Sequence, residues 1–499
     1  MTVRIHDFQI FLHNIQTRMP FRYGIAEMTV VPHLFLQINC EVDGQKFNGL
    51  SADNLIPKWF TKNPETSYEG DLQDMLQIIR QAGEIAIQVG SAESVFDLWL
   101  QVYQDQQTWA SDNKYPPLLW NLGVSLIERA LIHAYCTAKE ITFSEAIQRN
   151  DLGIRLSDIH SVLEDYVPSD LLPEHPSREI VIRHTIGLSD AISEAELKEN
   201  ERLNDGLPQS LEANISAYGI RYFKIKINGV VDQDAERLCR IGAVLRECGV
   251  GDYFFTLDGN EQYQSVEEFK WFWEQISNET SCSPHMARLL FVEQPFHRQY
   301  ALNEETRKDL IAWDSRPLII IDESDAELDS MQIALGSGYA GTSHKNCKGV
   351  FKSVANASLL AYLREQEPHR KLILSGEDLA NIGPVALLQD LTVMSVLGIQ
   401  NVERNGHHYF PGLSIFPVDV QKYALSEYPD LYHQPGYFPT LNINDGKITI
   451  DSLLKAPFGL NNDFSPENWF KSDALWNFES LHFYNRKELR WKESLQKKI

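Results

Sequence analysis

The chain has 499 residues and a formal net charge of −24, from 69 acidic and 45 basic side chains. Because this charge repels phosphate backbones, we do not expect nucleic acid as a partner. No apolar stretch approaches the roughly 20 residues that span a bilayer, and we see no signal peptide, so a membrane partner is not expected either. The six cysteines are scattered without a C-x-x-C pair, which favours a reducing cytoplasm and gives no zinc or disulfide signature.

The first part of the chain, residues 1–150, is predicted to be an α+β domain. Alternating apolar residues indicate strands, and apolar residues at helical spacing indicate helices. Two strand-like runs, 6–15 and 33–42, lie on either side of segment 17–32. Two helical runs follow them, at 71–89 and 118–138.

The middle of the chain, residues 178–415, changes to strands that alternate with helices. The eight strand-like runs are 179–188, 222–227, 253–258, 289–294, 317–322, 341–345, 371–375 and 401–404. This alternation predicts the α/β class and a modified (β/α)₈ barrel of the TIM type. An open doubly wound sheet is the alternative, but no G-x-G-x-x-G follows the first strand. Residues 416–499, rich in Pro, Tyr and Trp, do not continue the alternation and are predicted to pack back on the first domain or the barrel.

Three carboxylates end successive strands of the predicted barrel. The third, fourth and fifth strands end in Asp258, Glu293 and Asp322, and chemistry in such barrels lies at these carboxyl ends. One such residue alone could cap a helix, but three together repel each other unless a cation lies among them. Ligation by oxygen atoms alone favours Mg²⁺, with Mn²⁺ as the alternative.

Lysines belong to two strands that face each other across the predicted ring. Lys224 and Lys226 lie on one face of the second strand, and Lys345 ends the sixth strand. A K-x-K pair alone would also fit a solvent-facing strand. Close to a divalent cation and to another lysine, however, the pKa of a lysine should fall toward the range of a general base.

The ordered motifs KIK, DGN, VEQP, DES and KNCKG resemble those of the enolase superfamily, specifically its muconate lactonizing enzyme subgroup. The resemblance covers most of the chain to about residue 415. It implies an N-terminal capping domain completed by the C-terminal segment, Mg²⁺ held by the three carboxylates, and removal of the α-proton of a carboxylate substrate to give a metal-stabilised enediolate. It also suggests a homo-oligomer in the cytoplasm.

The resemblance also implies roles for individual residues. Lys226 and Lys345 would be the acid/base pair, with Lys348 as the fallback for Lys345. Lys224 would hold the substrate carboxylate. The positions that would support the metal and lysines are Asn260 and Glu323. The candidates for substrate choice are residues 21–25 with Tyr23 and a hinge at Gly24, residues 51–55 with Asn54, Glu377, Asp378, His407 and His408.

Several outcomes remain open after the first chemical step. Two opposed lysines permit racemisation or epimerisation, which we rank first, because one can remove the proton and the other can return it to the opposite face. Lyase chemistry, by dehydration or o-succinylbenzoate synthesis, and cycloisomerisation begin in the same way. A barrel that binds a metal and a carboxylate without turnover is an alternative of another class, and an unrelated barrel hydrolase is a third.

Overall fold

The computed structural model describes residues 2–278 and 283–484. None of the helices in these ranges combines the length and the hydropathy needed to cross a bilayer. Among the described cysteines, Cys40, Cys136, Cys248 and Cys347 are free, whereas Cys239 forms a disulfide bond. The spacing of the cysteines has no disulfide signature, so the sequence did not predict the bond at Cys239.

The N-terminal domain packs helices against an antiparallel sheet. Its strands are β1 (Val3–Tyr23), β2 (Ala26–Val42), β3 (Gln45–Asn54) and β4 (Ser91–Ala92). Its helices, with two short ones before the barrel, are α1 (Pro57–Phe60), α2 (Tyr68–Val89), α3 (Val95–Asp112), α4 (Pro117–Lys139), α5 (Phe143–Gln148) and α6 (Pro168–Leu171). Helix α4 is buried along almost its whole length and packs on β3 and between α2 and α3.

The segment 17–32 differs from the sequence interpretation, which placed it between two strands. It forms the distal part of a β1–β2 hairpin, with Tyr23 paired to Ala26 across a two-residue turn. Gly24 in that turn has a φ of 48°, a left-handed conformation that glycine adopts without steric cost. Strand β3, which the sequence did not predict beyond its preceding turn, pairs with β2 over its whole length.

The eight predicted barrel strands all form, and the predicted fold class is confirmed. They are β5 (Glu179–Ile186), β6 (Tyr222–Lys226), β7 (Phe254–Asp258), β8 (Leu289–Glu293), β9 (Ile319–Ile321), β10 (Gly341–His344), β11 (Ile373–Gly376) and β12 (Asn401–Arg404). Neighbours are parallel, and β12 pairs with β5 to close the ring. The helices after these strands are α7 (Leu211–Tyr218), α8 (Val231–Glu247), α9 (Val266–Asn278), α10 (Ser283–Met286), α11 (Arg298–Ala301), α12 (Glu304–Ala312), α13 (Ser330–Gly336), α14 (Val350–Gln366), α15 (Ala386–Val396) and α16 (Gly406–Tyr409).

The C-terminal segment contacts both layers of the molecule. Its elements are α17 (Val418–Glu427), β13 (Tyr432–His433), β14 (Thr440–Leu441), β15 (Lys447–Thr449), β16 (Lys471–Ser472) and α18 (Glu479–Tyr484). Strand β15 pairs antiparallel with β5 of the barrel, and β16 pairs with β1 of the N-terminal sheet. Residues 485–499 of the predicted segment lie outside the described residues.

Candidate active site

The strand register brings the predicted site residues to one mouth of the barrel. In the parallel ladder Lys226 lies opposite Asp258, and Asp258 lies opposite Glu293. Asp322 and Lys345 follow directly after β9 and β10. All five side chains are buried. Because parallel strands end at the same edge, residues that are far apart in the sequence form one cluster of charges.

Lys224 lies deeper in the barrel than Lys226 and is surrounded by acids. Its Nζ lies 2.9 Å from Asp258 Oδ2, 2.7 Å from Glu293 Oε2, 2.6 Å from Glu377 Oε2 and 3.0 Å from Glu403 Oε2. A buried charge of this kind needs opposite charges at hydrogen-bonding distance. Lys224 therefore holds the carboxylates of four strand ends together.

Lys226 and Lys345 line one small cavity between the barrel mouth and the N-terminal domain. The cavity has a volume of about 30 Å³, room for little more than a water molecule. Its lining residues are Phe21, Tyr23, Ile56, Trp59, Lys224, Lys226, Asn260, Lys345, Asp378, Leu379, Ala380, Glu403 and Asn405. Lys226 Nζ donates to Asp258 Oδ2 at 2.5 Å, and Lys345 Nζ donates to Asp322 Oδ2. Lys345 Nζ also lies 4.5 Å from the ring centroid of Trp59.

The charges around two of the lysines act against the expected lowering of their pKa. Burial alone would lower the pKa of Lys224, but Asp258, Glu293, Glu377 and Glu403 raise it well above its usual value. Burial likewise opposes the charged form of Lys345, yet Asp322 raises its pKa. In the protein's own set of charges both pKa values are therefore raised, because each lysine is matched by nearby carboxylates. The lowering was expected for a lysine that also lies close to a divalent cation, and for such a site it stays a prediction.

Two of the carboxyl groups have raised pKa values because they are buried close to other acids. Burial, followed by the charges of Asp258 and Glu377, raises the pKa of Glu293 well above its usual value. Burial and the neighbouring Asp322 raise the pKa of Glu323 to about 7. Added positive charge at this mouth would relieve both effects.

The three predicted metal ligands lie beside lysine ammonium groups, Asp258 and Glu293 at Lys224 and Asp322 at Lys345. Within residues 2–278 and 283–484, no three His, Cys, Asp or Glu side chains have the arrangement of a metal site. The donor chemistry nevertheless fits a hard divalent cation, since Asp258, Glu293 and Asp322 offer only oxygen atoms from neighbouring strands. Glu293 Oε2 also has no hydrogen-bond partner, although it lies close to Lys224 Nζ.

Two of the supporting residues, Asn260 and Lys348, contact the predicted ligands, and Glu323 contacts Asn260. The Asn260 backbone N–H donates to Asp258 Oδ1 at 2.9 Å, and its side chain donates to Glu323 Oε1 at 3.2 Å. Lys348 lies behind Asp322, bonded to its Oδ1 at 3.2 Å and to Ser343 Oγ at 2.8 Å, and it does not line the cavity. Of the two candidate bases after β10, only Lys345 faces the space that a substrate would enter.

The specificity candidates divide into two groups. Tyr23 and Asp378 line the cavity. Asn54 and Glu377 do not line it: Asn54 donates to the backbone oxygen of Ala380 at 2.7 Å, and Glu377 bonds to Lys224. Asn54 therefore positions the cavity wall at Ala380, and Glu377 positions Lys224.

The two histidines after β12 turn away from the cavity. His407 Nε2 lies 3.0 Å from His184 Nδ1, and His407 lines a separate cavity beside Tyr432. Burial lowers the pKa of His407 to about 3, so the imidazole is neutral. His408 Nδ1 lies 3.1 Å from Asn214 Nδ2. The short helix α16 redirects the chain immediately after β12, and a strand pattern cannot reveal such a turn.

Sequence reasoning missed four residues of this site. Glu403 accepts from Lys224, and Arg183 donates to Glu377 from the other side. Trp59 and Ile56 close the cavity from the N-terminal domain. For Arg183 and Glu403 the sequence did contain a signal, because each is a charged residue within a predicted strand, EIVIRHTI or NVER. Such a side chain faces either the barrel interior or the surrounding helices.

The fold is that of enolase superfamily proteins. A member of that superfamily from Enterococcus faecalis V583, of unknown function, has a TM-score of 0.57 at 14% identity, covering 95% of this chain and 99% of that one. Muconate lactonizing enzyme from Pseudomonas fluorescens, complexed with muconolactone, has a TM-score of 0.55 at 14% identity, covering 91% and 95%. Dipeptide epimerase from Enterococcus faecalis V583, complexed with Mg and the dipeptide L-Leu-L-Tyr, has a TM-score of 0.52 at 13% identity, covering 80% and 90%.

The sequence itself gives no further match. The chain matches no protein-family model, and no curated protein matches it. The similarity is therefore one of fold, and the chemistry has to be argued from the side chains.

Proposed function

We propose that this protein is an enzyme of the enolase superfamily that removes the α-proton of a small carboxylate substrate. The observation that carries the proposal is that Lys226 and Lys345, from strands four apart in a ring of eight, line the same small cavity. Two proton-transfer groups on opposite sides of one space suit chemistry at both faces of a carbon atom. The shared fold with muconate lactonizing enzyme and dipeptide epimerase supports the same conclusion.

In the proposed reaction the lysines act in turn. The Cα–H bond breaks, the proton goes to the neutral Nζ of one lysine, and the electron pair moves into the substrate carboxylate as an enediolate. The other lysine, as an ammonium group, returns a proton to the opposite face. The raised pKa of Lys345 favours its ammonium form before substrate binds. Closure of the small cavity over the substrate would exclude water from the enediolate.

Mg²⁺, or Mn²⁺, is the proposed cofactor, with Asp258, Glu293 and Asp322 as its ligands. When bound, such an ion would supply positive charge that stabilises the enediolate. Mg is also present in the dipeptide epimerase complex of the same fold. Lys224 would lose some of its contacts to these acids and would keep those to Glu377 and Glu403.

Racemisation or epimerisation is the proposed outcome, because it uses both lysines. Elimination and cycloisomerisation share the first step, and the lysines alone do not distinguish them. All three need a leaving proton on the carbon next to a carboxylate.

Hydrogen–deuterium exchange followed by proton NMR tests the proposal. The protein is incubated with Mg²⁺ in D₂O and with separate L and D forms of amino acids, dipeptides, N-acyl amino acids and sugar acids. We expect loss of an α-proton signal that stops when a chelator is added. Because each lysine faces one side of the carbon, Lys226→Ala should stop exchange of one stereoisomer and Lys345→Ala that of the other.

The control is Lys422→Ala, an exposed lysine on α17, which should exchange like the parent. Exchange of both stereoisomers that survives in Lys226→Ala and again in Lys345→Ala would show that the bases are assigned wrongly. If either variant loses exchange of both stereoisomers, the two lysines act together and not separately on the two faces of the carbon.

A second candidate function is binding of a carboxylate ligand without turnover. The raised pKa values of Lys224 and Lys345 favour this alternative, because a charged lysine is no base. It predicts that Lys226→Ala keeps ligand affinity and that no α-proton exchanges in any variant, whereas an enzyme loses turnover by orders of magnitude.

A further inference from the structure

A second cavity lies at the opposite end of the barrel from the lysines. It has a volume of about 710 Å³, within the range of small-molecule sites. It is bounded by the first residues of β8, β11 and β12, by the middle of β5, by α14 and by the chain around Leu172. The active site lies at the carboxyl ends of the same strands, so the two cavities are separated by the barrel interior.

The lining of this cavity is positively charged, although the protein is strongly acidic. Arg183 and Arg364 line it, and no Asp or Glu is among its lining residues. The rest is mostly apolar, including Leu172, Phe291 and Leu360. With a net charge of −24 for the chain, two arginines without an acid in one concave surface form a local positive field.

Arg183 has hydrogen-bonding capacity that the protein does not use. It is fully buried. Its Nη1 donates to Asn401 Oδ1 at 3.1 Å, and its Nη2 donates to Ser375 Oγ at 2.8 Å and to Glu377. Its Nε has no hydrogen-bond partner, and a buried donor without a partner is costly.

The charge of Arg183 is only partly balanced. Among the residues that the structure describes, Glu377 is its one carboxylate partner, and the same carboxylate accepts from Lys224 at 2.6 Å. Arg364, at the rim, donates to the backbone oxygen of Leu372 at 3.0 Å and forms no ion pair within the described part of the chain. An anion in the cavity could therefore pair with Arg364 at the rim, and it would also lie near the partly balanced charge of the fully buried Arg183.

We propose that this cavity binds a small organic anion with an apolar body. Its carboxylate would lie toward Arg183 and Arg364, and its hydrocarbon part would pack on Leu172, Phe291 and Leu360. The site is distinct from the proposed catalytic cavity and does not depend on turnover there. Arg183 connects the two ends of the barrel, because its partner Glu377 also bonds to Lys224.

Calorimetric titration with hexanoate tests the proposal, using the full-length protein without Mg²⁺ or substrate. We expect one molecule bound per chain, weaker binding of uncharged hexanamide, and no comparable binding of inorganic phosphate, which lacks the apolar body. Arg364→Gln should weaken hexanoate binding about tenfold, since one charge-assisted hydrogen bond is lost. Ala361→Phe, at a half-buried position in the lining, should weaken binding by narrowing the cavity beside Arg364.

Two controls make the result specific. Arg370→Gln changes a nearby arginine that pairs with Glu367 and does not line the cavity, so it should bind hexanoate like the parent. Lys345→Ala should also bind normally, because its site is at the other end of the barrel. The thermal unfolding temperature of each variant confirms that it is folded, and Arg364→Gln serves as the test if Ala361→Phe does not fold.

Three results would overturn the proposal. They are equal affinity for hexanoate and hexanamide, binding that is lost in Lys345→Ala but kept in Arg364→Gln, and no binding of hexanoate up to about 10 mM. None of them bears on proton exchange at Lys226 and Lys345, so the two proposals stand or fall separately.

Discussion

Lys224 and Lys226, two residues apart on β6, have different surroundings. Both side chains line the cavity, but Lys224 contacts four carboxylates inside the barrel, whereas Lys226 Nζ donates to one carboxylate, that of Asp258, among the residues that the structure describes. Alternation along a strand places both side chains on the inner face, one nearer the mouth than the other. Lys224 therefore balances the buried acids, while Lys226 is available for proton transfer.

Lys224→Met should destabilise the protein by about 3–5 kcal/mol, because removing one member of a buried ion-pair network leaves charges without compensation. Urea denaturation followed by circular dichroism measures the change. Mg²⁺ should restore more stability in the variant than in the parent, since a divalent cation among the acids replaces the missing charge. Lys422→Met is the matched control at an exposed position and should change stability by less than about 0.5 kcal/mol. A loss in Lys224→Met as small as in this control would contradict the assigned role.

The sequence could predict the residues at strand ends but not those that meet across the barrel. Asp258, Glu293 and Asp322 each follow an apolar run, Lys345 follows the short polar strand GTSH, and parallel strands bring such positions together. The contact between Arg183 and Glu377 joins residues 194 positions apart, and no local pattern marks it. The pKa of Lys345 also depends on how closely Asp322 approaches it, which is a property of side-chain packing.

At the scale of elements, α14 begins with a cap supplied by a different helix. The residue before it, Gly349, has no side chain to act as a cap. Instead the backbone N–H groups of Val350 and Phe351 donate to Glu128 of α4 at 2.9 and 2.6 Å. Free backbone N–H groups at the N-terminus of a helix attract a negatively charged carboxylate. This contact fixes the start of α14 a few residues after Lys345.

Glu128 predicts a measurable dependence of stability on pH. Burial raises its pKa to about 7 from a usual value of 4.5, although the N–H groups of Phe351 and Val350 oppose the shift. Because the folded-state pKa lies above the unfolded one, the stability that protonated Glu128 contributes is present in full below pH 4.5 and is lost as the pH rises through 7. The difference corresponds to about 3 kcal/mol at most.

Urea denaturation between pH 4 and 8 checks this effect by comparing the parent with Glu128→Gln, in which the pH-dependent fall should be absent. The control is Glu145→Gln. Hydrogen bonds from Thr142, of which the one from its backbone N–H has the largest effect, lower the pKa of exposed Glu145. The stability that ionised Glu145 contributes is therefore present above pH 4.5 and is lost on acidification. An unchanged slope in Glu128→Gln would show that Glu128 is not the titrating group.

Element prediction from the sequence succeeded where periodicity was strong. Six of the eight barrel strands contain a short apolar run between helical segments, and the polar strands β10 (GTSH) and β12 (NVER) were found from their places in the alternation. The distal hairpin of segment 17–32 was missed because its apolar residues do not alternate, and β3 (Gln45–Asn54) was missed because its composition is polar and small. Pairing with β2, rather than intrinsic preference, makes β3 a strand.

At the scale of the whole molecule, the C-terminal segment connects the N-terminal sheet to the walls of the active site. Phe470 stacks on Phe35 of β2 with ring centroids 4.6 Å apart and contacts Phe416, whose ring is 5.8 Å from that of His33. His33 Nδ1 lies 2.7 Å from Asn54 Oδ1, and Asn54 donates to Ala380 in the cavity wall. A continuous set of contacts therefore runs from the C-terminal segment to the site.

Phe470→Ala should destabilise the protein by about 3–5 kcal/mol, as truncation of a buried aromatic side chain does. Leu475→Ala, in the same segment but 72% exposed, is the matched control and should have little effect. Hydrogen exchange measured by mass spectrometry should also increase at β2 and around Asn54 in Phe470→Ala, because Phe35 loses its stacking partner and the contacts leading to Ala380 loosen. Equal stability of the two variants would mean that the C-terminal segment covers the sheet without supporting it. A loss of stability with unchanged exchange at Asn54 would confine the effect to the sheet and leave the cavity wall independent of it.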